Sequence, residues 1–292
     1  MDSYTYTQEL PFTTPPRRVV SLVPSMTETL FVLGLGGRLV GRTVYCVHPA
    51  GQVERIPTVG GTKNPDIPAI LALQPDLVIV NQEENRREDA DALTAAGVPV
   101  WATFPRTVRE AFNLLWTLMY AFEAPAHSES IRQIERLCDV LELLERPQPC
   151  RVFVPIWFDP LMTFNGDTFA HDLLRVCGGT NVFAERERQF PLAADLGQAQ
   201  PLPSDDPRVA GRDTRYPRVT MDEVAAAQPD VILLPSEPFP FTAEHVPLFA
   251  ALDVPAARDG RIVLVDGSLL TWHGTRIAQA LLTIPNLLCP LG

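Results

Sequence analysis

The feature that most constrains this chain is an internal duplication. Ile70-Leu71-Ala72-Leu73-Gln74-Pro75-Asp76-Leu77-Val78-Ile79-Val80 is answered, 154 residues on, by Val224-Ala225-Ala226-Ala227-Gln228-Pro229-Asp230-Val231-Ile232-Leu233-Leu234. Each copy is a helix end, then Gln-Pro-Asp, then a short apolar strand. The segments that open each half also match, Arg18-Val19-Val20 against Arg151-Val152-Phe153. The physics of Gln-Pro-Asp is local: proline ends the helix and pushes the preceding residue out of the α region. The motif carries no chemistry of its own. Its repetition near half the chain length predicts two similar lobes, and a crevice between lobes is a preferred ligand site. A chain of 292 residues is long enough for two cores.

The order of elements fills in that frame. The apolar run 18–24 reads as a buried strand. Ser25 with Glu28 is a capping-box pattern that opens a helix ending near Gly34. Strands follow at 39–43, 76–80 and 98–102, with helices at 66–73 and 86–96, the latter stopped by Gly97. Strands alternating with short helices imply a parallel sheet. The pattern then turns helical. Thr107 and Glu110 form a second capping box, and Val108, Ala111, Phe112, Leu115 and Met119 recur at helical spacing. A further helix is expected from about Pro125 to Arg146, its stripe made of Ile131, Ile134, Cys138 and Leu141. At 1.5 Å per residue it would run about 33 Å, long enough for a rigid spine between lobes. After Pro149 the α/β pattern resumes. It gives strands at 151–155, 230–234 and 261–265 and helices at 168–177, from Thr220 to Pro229, and at 275–282. Residues 190–217, polar and with Pro201, Pro203, Pro207 and Pro217, read as a long surface loop. The expected division is a flexible arm at 1–16, an N-terminal α/β lobe at 17–106, a helical segment at 107–148 and a C-terminal α/β lobe at 149–292.

The fold class is therefore α/β: two similar Rossmann-like lobes with a ligand cleft between them, the helix from Pro125 being either a single long helix that joins them or an ordinary packed helix. Composition narrows the function. The charge of −11 argues against nucleic acid, and 46% apolar with 20% charged residues is a globular composition. No run is apolar enough to span a membrane. The first residues have no positive region, apolar core or small-residue cleavage site, which by sequence alone reads as a cytoplasmic chain. Five cysteines without a C-x-x-C pair read as reduced, mostly buried thiols. Phosphate-loop, dinucleotide, zincin and nucleophile-elbow signatures are absent, so no enzyme is expected and no cofactor is required. The histidines share no ligand spacing. Cys46-Val47-His48 is the one weak metal-ligating candidate.

Loops after apolar strands carry the remaining signal. They begin at Asn81, at Ile156-Trp157-Phe158, at Pro235-Ser236-Glu237-Pro238-Phe239-Pro240-Phe241 and at Asp266-Gly267-Ser268, the last reaching Trp272 and Arg276. In parallel α/β layers ligands bind beyond the carboxyl ends of strands. Trp157, Phe158, Phe239, Phe241 and Trp272 are thus expected around one crevice, suited to a large planar organic ligand. The alternative is that half of these aromatics close the ends of their own lobe.

With these segments in view, the chain resembles the bilobed, helix-linked substrate-binding proteins of ABC importers for cobalamin, ferric siderophores and haem, nearest to the cobalamin-binding type. The resemblance rests on Ser21-Leu22-Val23-Pro24-Ser25-Met26-Thr27-Glu28, on Val40-Gly41-Arg42-Thr43-Val44-Tyr45 with Pro49, on Leu73-Gln74-Pro75-Asp76-Leu77-Val78-Ile79, and on Cys177-Gly178-Gly179-Thr180-Asn181-Val182-Phe183. It implies cleft roles for Pro24, Ser25, Tyr45, Asn81, Trp157, Phe158, Phe239, Ser268 and Trp272. It implies cobalamin or a ferric chelate as ligand and an extracytoplasmic location. It also implies an ABC permease partner docked through acidic surface residues. That family's first-lobe docking acid falls near Arg87, where this chain is basic, and Glu83, Glu84 or Glu88 is the substitute. A cytosolic metal-handling protein or enzyme on the same scaffold is the competing reading.

Overall fold

The computed structural model describes residues 10–144 and 149–288. Strands β1 (Val19–Ser21), β2 (Leu39–Arg42), β3 (Leu77–Asn81) and β4 (Val100–Thr103) form a parallel sheet in the order β2-β1-β3-β4. Strands β5 (Cys150–Phe153), β6 (Gly179–Asn181), β7 (Val231–Pro235) and β8 (Ile262–Val265) form a second in the order β6-β5-β7-β8. The two orders are equivalent, strand for strand. The strands after Gln-Pro-Asp, β3 and β7, are buried along their whole length, as central parallel strands are.

Helices α1 (Pro24–Val32), α2 (Ile67–Ala72) and α3 (Arg87–Ala95) belong to the first sheet. Helices α4 (Val108–Ala121) and α5 (Ser128–Leu143) link the sheets. The second sheet carries α6 (Phe169–Val176), α7 (Leu192–Asp195), α8 (Met221–Ala226), α9 (Val246–Ala250), α10 (Pro255–Arg258), α11 (Ser268–Thr271) and α12 (Ile277–Leu287).

The duplicated motif is a staple. Gln74 and Gln228 both adopt left-handed backbone, φ 48 and 43, where each helix ends. The Asp76 carboxylate accepts the backbone N–H groups of Arg17 and Arg18, and Asp230 accepts that of Arg151. In return the Arg18 guanidinium caps the carbonyls of Leu73 and Gln74, and Arg151 caps those of Ala227 and Gln228. Each arginine thus satisfies the orphan carbonyls of a helix end and pins it to the neighbouring strand.

One apolar cluster runs from β1 and α1 through α4 to α6, β5 and α12. The lobes therefore share a core. Two smaller clusters cover the outer faces, around Ile70, Val78 and Leu93 in the first lobe and around Phe153, Ile232 and Phe249 in the second. The link is a packed pair: α4 lies against α5, and the Trp116 indole donates to Glu135 at 2.8 Å. The expected long helix is α5, 16 residues preceded by a 3-10 turn at Pro125–His127. Its expected end at Arg146 lies outside the described residues.

Several expectations are corrected. Ser25 caps nothing: Val23 is the N-cap and Pro24 the first helical residue, because proline's fixed φ suits that place. Thr107 accepts the Glu110 N–H, but the Glu110 carboxylate turns to the N–H of Arg106, so that box is half formed. The Thr220–Glu223 box is complete. Helix α12 continues past Leu282 to Leu287 with Pro285 inside it, since buried Ile284 and Leu288 hold its last turn on the core. The described part of the arm is docked: Phe12 meets Phe122 edge-on at 6.1 Å, and buried Pro16 gives its carbonyl to Arg38. The cysteines are not all reduced. Cys46, Cys138 and Cys177 are buried and in no disulfide, whereas Cys150 is disulfide-bonded, a pairing that spacing along the chain does not encode.

Candidate functional site

The carboxyl ends of both sheets meet in one crevice. From the first lobe come the start of α1, the turn after β2 and the residues after β3. From the second come the loops after β5, β7 and β8. The Glu83 carboxylate accepts Arg215 at 2.6 Å and the Tyr216 hydroxyl at 2.5 Å from the other lobe. His48 stands edge-on to Trp272, ring centres 5.7 Å apart. Ser25 Oγ lies 3.5 Å from His273 Nε2. At the base Glu28 holds the Arg276 guanidinium by two contacts of 2.5 and 2.8 Å. The Thr275 N–H donates to Thr29 Oγ1 at 3.1 Å. Gly274, at φ 104, is needed there: a Cβ would stand 2.3 Å from Thr29 Oγ1. The long loop 190–217 ends in Arg215 and Tyr216, so it helps build this junction.

The expected site residues do not share one environment. Tyr45 is 60% exposed and Trp157 44% exposed. The Trp157 indole donates to its own loop at the Asp159 carbonyl and lies edge-on to Phe239. Phe158 and Phe239 pack with Phe241 and His245 into the second lobe's own cluster. Trp272 sits apart from them, under Arg276 and against His48 of the first lobe. The aromatics therefore make two groups, not one ring. Pro24, Ser25, Asn81 and Ser268 are buried. Asn81 spends its side chain inside the lobe, accepting the Glu83 N–H at 2.8 Å and donating to Thr103. Ser268 is tied to Asp266 by its backbone N–H and its hydroxyl.

The electrostatics single out residues that the aromatic pattern did not. Glu84 is pushed up to about 8 by desolvation, then by the charge of Glu237 from the opposite lobe and by Glu83, against a smaller pull from Lys63. Burial also raises Glu237, which is held by the Thr271 hydroxyl at 3.1 Å and by the Trp272 indole. Burial lowers Lys63, whose ammonium donates to the Glu83 carbonyl at 2.6 Å. Burial and the neighbouring Glu83 raise Tyr216 well above its ordinary range. His273, buried, is lowered to about 4 by desolvation and is a neutral member of the junction. The loops containing Glu237, His273 and Arg276 were legible as strand-end loops. Their charged members carried no periodic or motif signal.

Cys46 and His48 do not converge. The Cys46 sulfur is buried between the Thr27 and Thr43 hydroxyls, and burial pushes its thiol up, while His48 faces Trp272. Among the described residues no group of three or more His, Cys, Asp or Glu is placed to hold a metal ion. No helix among them is long and apolar enough to cross a membrane.

Two equivalent α/β lobes, packed link helices and a crevice at the strand ends define a bilobed, helix-linked α/β fold. Residues 19–135 match the family described as periplasmic binding protein. The "Vitamin B12-binding protein" of Yersinia pestis (strain Pestoides F) is 30% identical over 176 residues, 60% of this chain and 62% of that protein. The chain thus spans 62% of the length of the curated relatives it matches. The periplasmic vitamin B12 binding protein BtuF of Vibrio cholerae superimposes with TM-score 0.71 at 20% identity, over 94% of this chain and 97% of that one. The periplasmic heme-binding protein RhuT from Roseiflexus sp. RS-1, in apo form, gives TM-score 0.71 at 23% identity, over 94% and 98%. At such identities the likeness is one of fold.

Proposed function

We propose that this chain is a non-catalytic binding protein that carries a metal chelate, with a corrinoid first among candidates, to an ABC-type importer. The observation that carries the reading is the crevice. Two equivalent sheets turn their strand ends toward each other and leave the Tyr45 ring and Trp157 indole uncovered beside it. Exposed flat aromatics at a crevice suit a large planar ligand. The similarity to vitamin B12- and heme-binding proteins supports the same class of ligand. The disulfide at Cys150 supports a compartment outside the reducing cytoplasm. The engaged Cys46 sulfur counts against a cytosolic metal site. Of the three acids considered for permease docking, Glu83 and Glu84 are turned into the crevice. Glu88, exposed in the first turn of α3, is the one that remains.

Titration of the purified chain with cyanocobalamin, haemin and ferrioxamine B, followed by absorbance and melting temperature, tests the reading. At a thousandfold excess over Kd a ligand adds about 4 kcal/mol of stability. Trp157→Ala is expected to weaken the bound chelate at least tenfold while leaving the melting temperature of the free protein within a few degrees. No response to any of the three at micromolar concentration would reject the reading.

A further inference from the structure

We infer that Asn85 is a positioning residue for the crevice: one buried carboxamide ties together the three first-lobe segments that border it, and through them sets the place of the Tyr45 ring. The inference deepens the chelate-carrying reading and rests on it. Asn85 stands four residues beyond Asn81, the end of β3, and is 8% exposed. Its Oδ1 accepts the Asn81 N–H at 2.8 Å. Its Nδ2 donates to the Leu22 carbonyl at 3.2 Å, between β1 and α1, and to the Thr62 carbonyl at 2.9 Å, between β2 and α2. One N–H and two carbonyls fix which way the amide faces, because an oxygen accepts and an NH2 group donates.

The Thr62 segment is the one that carries Tyr45. Its Gly60 carbonyl accepts the Val44 N–H at 2.9 Å. The Tyr45 ring lies on Gly61, where a Cβ would stand 3.3 Å from Cε2. Gly60 holds φ 90, and a Cβ there would stand 2.7 Å from the Asn64 carbonyl oxygen, so the turn admits only glycine. Lys63 ties the same segment to the Glu83 carbonyl at 2.6 Å, but that contact is exposed. Removing the Asn85 amide strands the Asn81 N–H and the Leu22 and Thr62 carbonyls, and the segments must shift to find other partners. The duplication places a counterpart in the second lobe. Phe239 stands 154 residues on from Asn85, the spacing of the two Gln-Pro-Asp motifs. It joins the loop after β7 to the loop after β5 by packing, its ring centre 5.6 Å from that of Trp157. One lobe arranges its crevice segments with an amide, the other with a ring.

The test labels the full chain with fluorotyrosine and reads fluorine NMR, each signal assigned by replacing one tyrosine with phenylalanine. Asn85→Ala is expected to shift and broaden the Tyr45 signal and to leave unmoved that of Tyr120, 88% exposed on α4. Asn85→Asp keeps the shape and the acceptor but loses both donors. It is expected to move Tyr45 in the same way, and it carries the test if Asn85→Ala does not fold. Cyanocobalamin, haemin and ferrioxamine B then serve as probes. For each one that the wild type binds, Asn85→Ala is expected to raise Kd at least tenfold. Asn85→Ala with Tyr45→Ala should bind within about threefold of Tyr45→Ala alone, because the two changes remove one contact. Losses that multiply in the double variant overturn the inference. So does a lowered melting temperature with an unmoved Tyr45 signal, which is a merely structural role. Failure of the wild type to bind any probe rejects the chelate-carrying reading, and the fluorine spectrum then decides whether Asn85 places Tyr45.

Discussion

His273 and Glu84 respond to pH in opposite senses. His273 is neutral in the folded protein, lowered from 6.5 to about 4 by burial. Between those values the unfolded chain binds more protons, so stability is present above pH 6.5 and is lost as pH falls toward 4. His273→Gln, which cannot be protonated, is expected to flatten that acid limb in melting temperatures taken every half unit of pH. Glu84 is raised from 4.5 to about 8, so here the folded state holds the extra proton. Its contribution is fully present below pH 4.5 and is lost as pH rises through 8. Glu84→Gln is therefore expected to raise the melting temperature at pH 9 by several degrees relative to wild type and to change it little at pH 4.5. An equal effect at both pH values would mean that the carboxylate sits in ordinary solvent.

At the scale of elements, the Gln-Pro-Asp staple gives a paired prediction. Asp76 and Asp230 each accept backbone N–H groups at the start of their sheet's equivalent strand. Asp76→Ala and Asp230→Ala are each expected to cost about 1–2 kcal/mol in urea unfolding. Because the two staples lie in different lobes and share no partner, the double variant should sum the two within about 0.5 kcal/mol. The staple also marks how far the sequence could be read. The duplication, the strands and the complete Thr220 box follow from local rules, which need only neighbouring residues. The Ser25 box failed because a proline at the first helical position competed with it. The helix α5 read as a lone spine because a periodic stripe gives a helix's face and not its packing partner, α4. At the site, the loops were legible and their grouping was not. Which aromatic closes its own lobe, as Phe158 and Phe239 do, and which stays uncovered, as Trp157 does, depends on contacts between segments far apart in sequence. The disulfide at Cys150 is likewise not legible from local rules.

For the whole molecule, the decisive feature is that the lobes are tied at both ends of the crevice. One apolar cluster passes beneath it, Glu83 reaches Arg215 and Tyr216 on one side, and Glu28 grips Arg276 at the base. A protein joined this way holds its crevice preformed, and a preformed crevice loses less ordering entropy on binding. The basal pair is more deeply buried than Glu83 with Arg215, with Arg276 8% and Glu28 14% exposed. Breaking a buried pair strands a charge, whereas replacing both partners with apolar groups of similar size does not. Arg276→Met alone is thus expected to cost about 3–5 kcal/mol in urea unfolding, through the unpaired Glu28. Glu28→Leu added to it should recover most of that loss. If the double variant recovers stability but binds chelate more weakly, the pair fixes the relative placement of the lobes. If binding is also unchanged, the shared apolar core alone sets the geometry of the crevice.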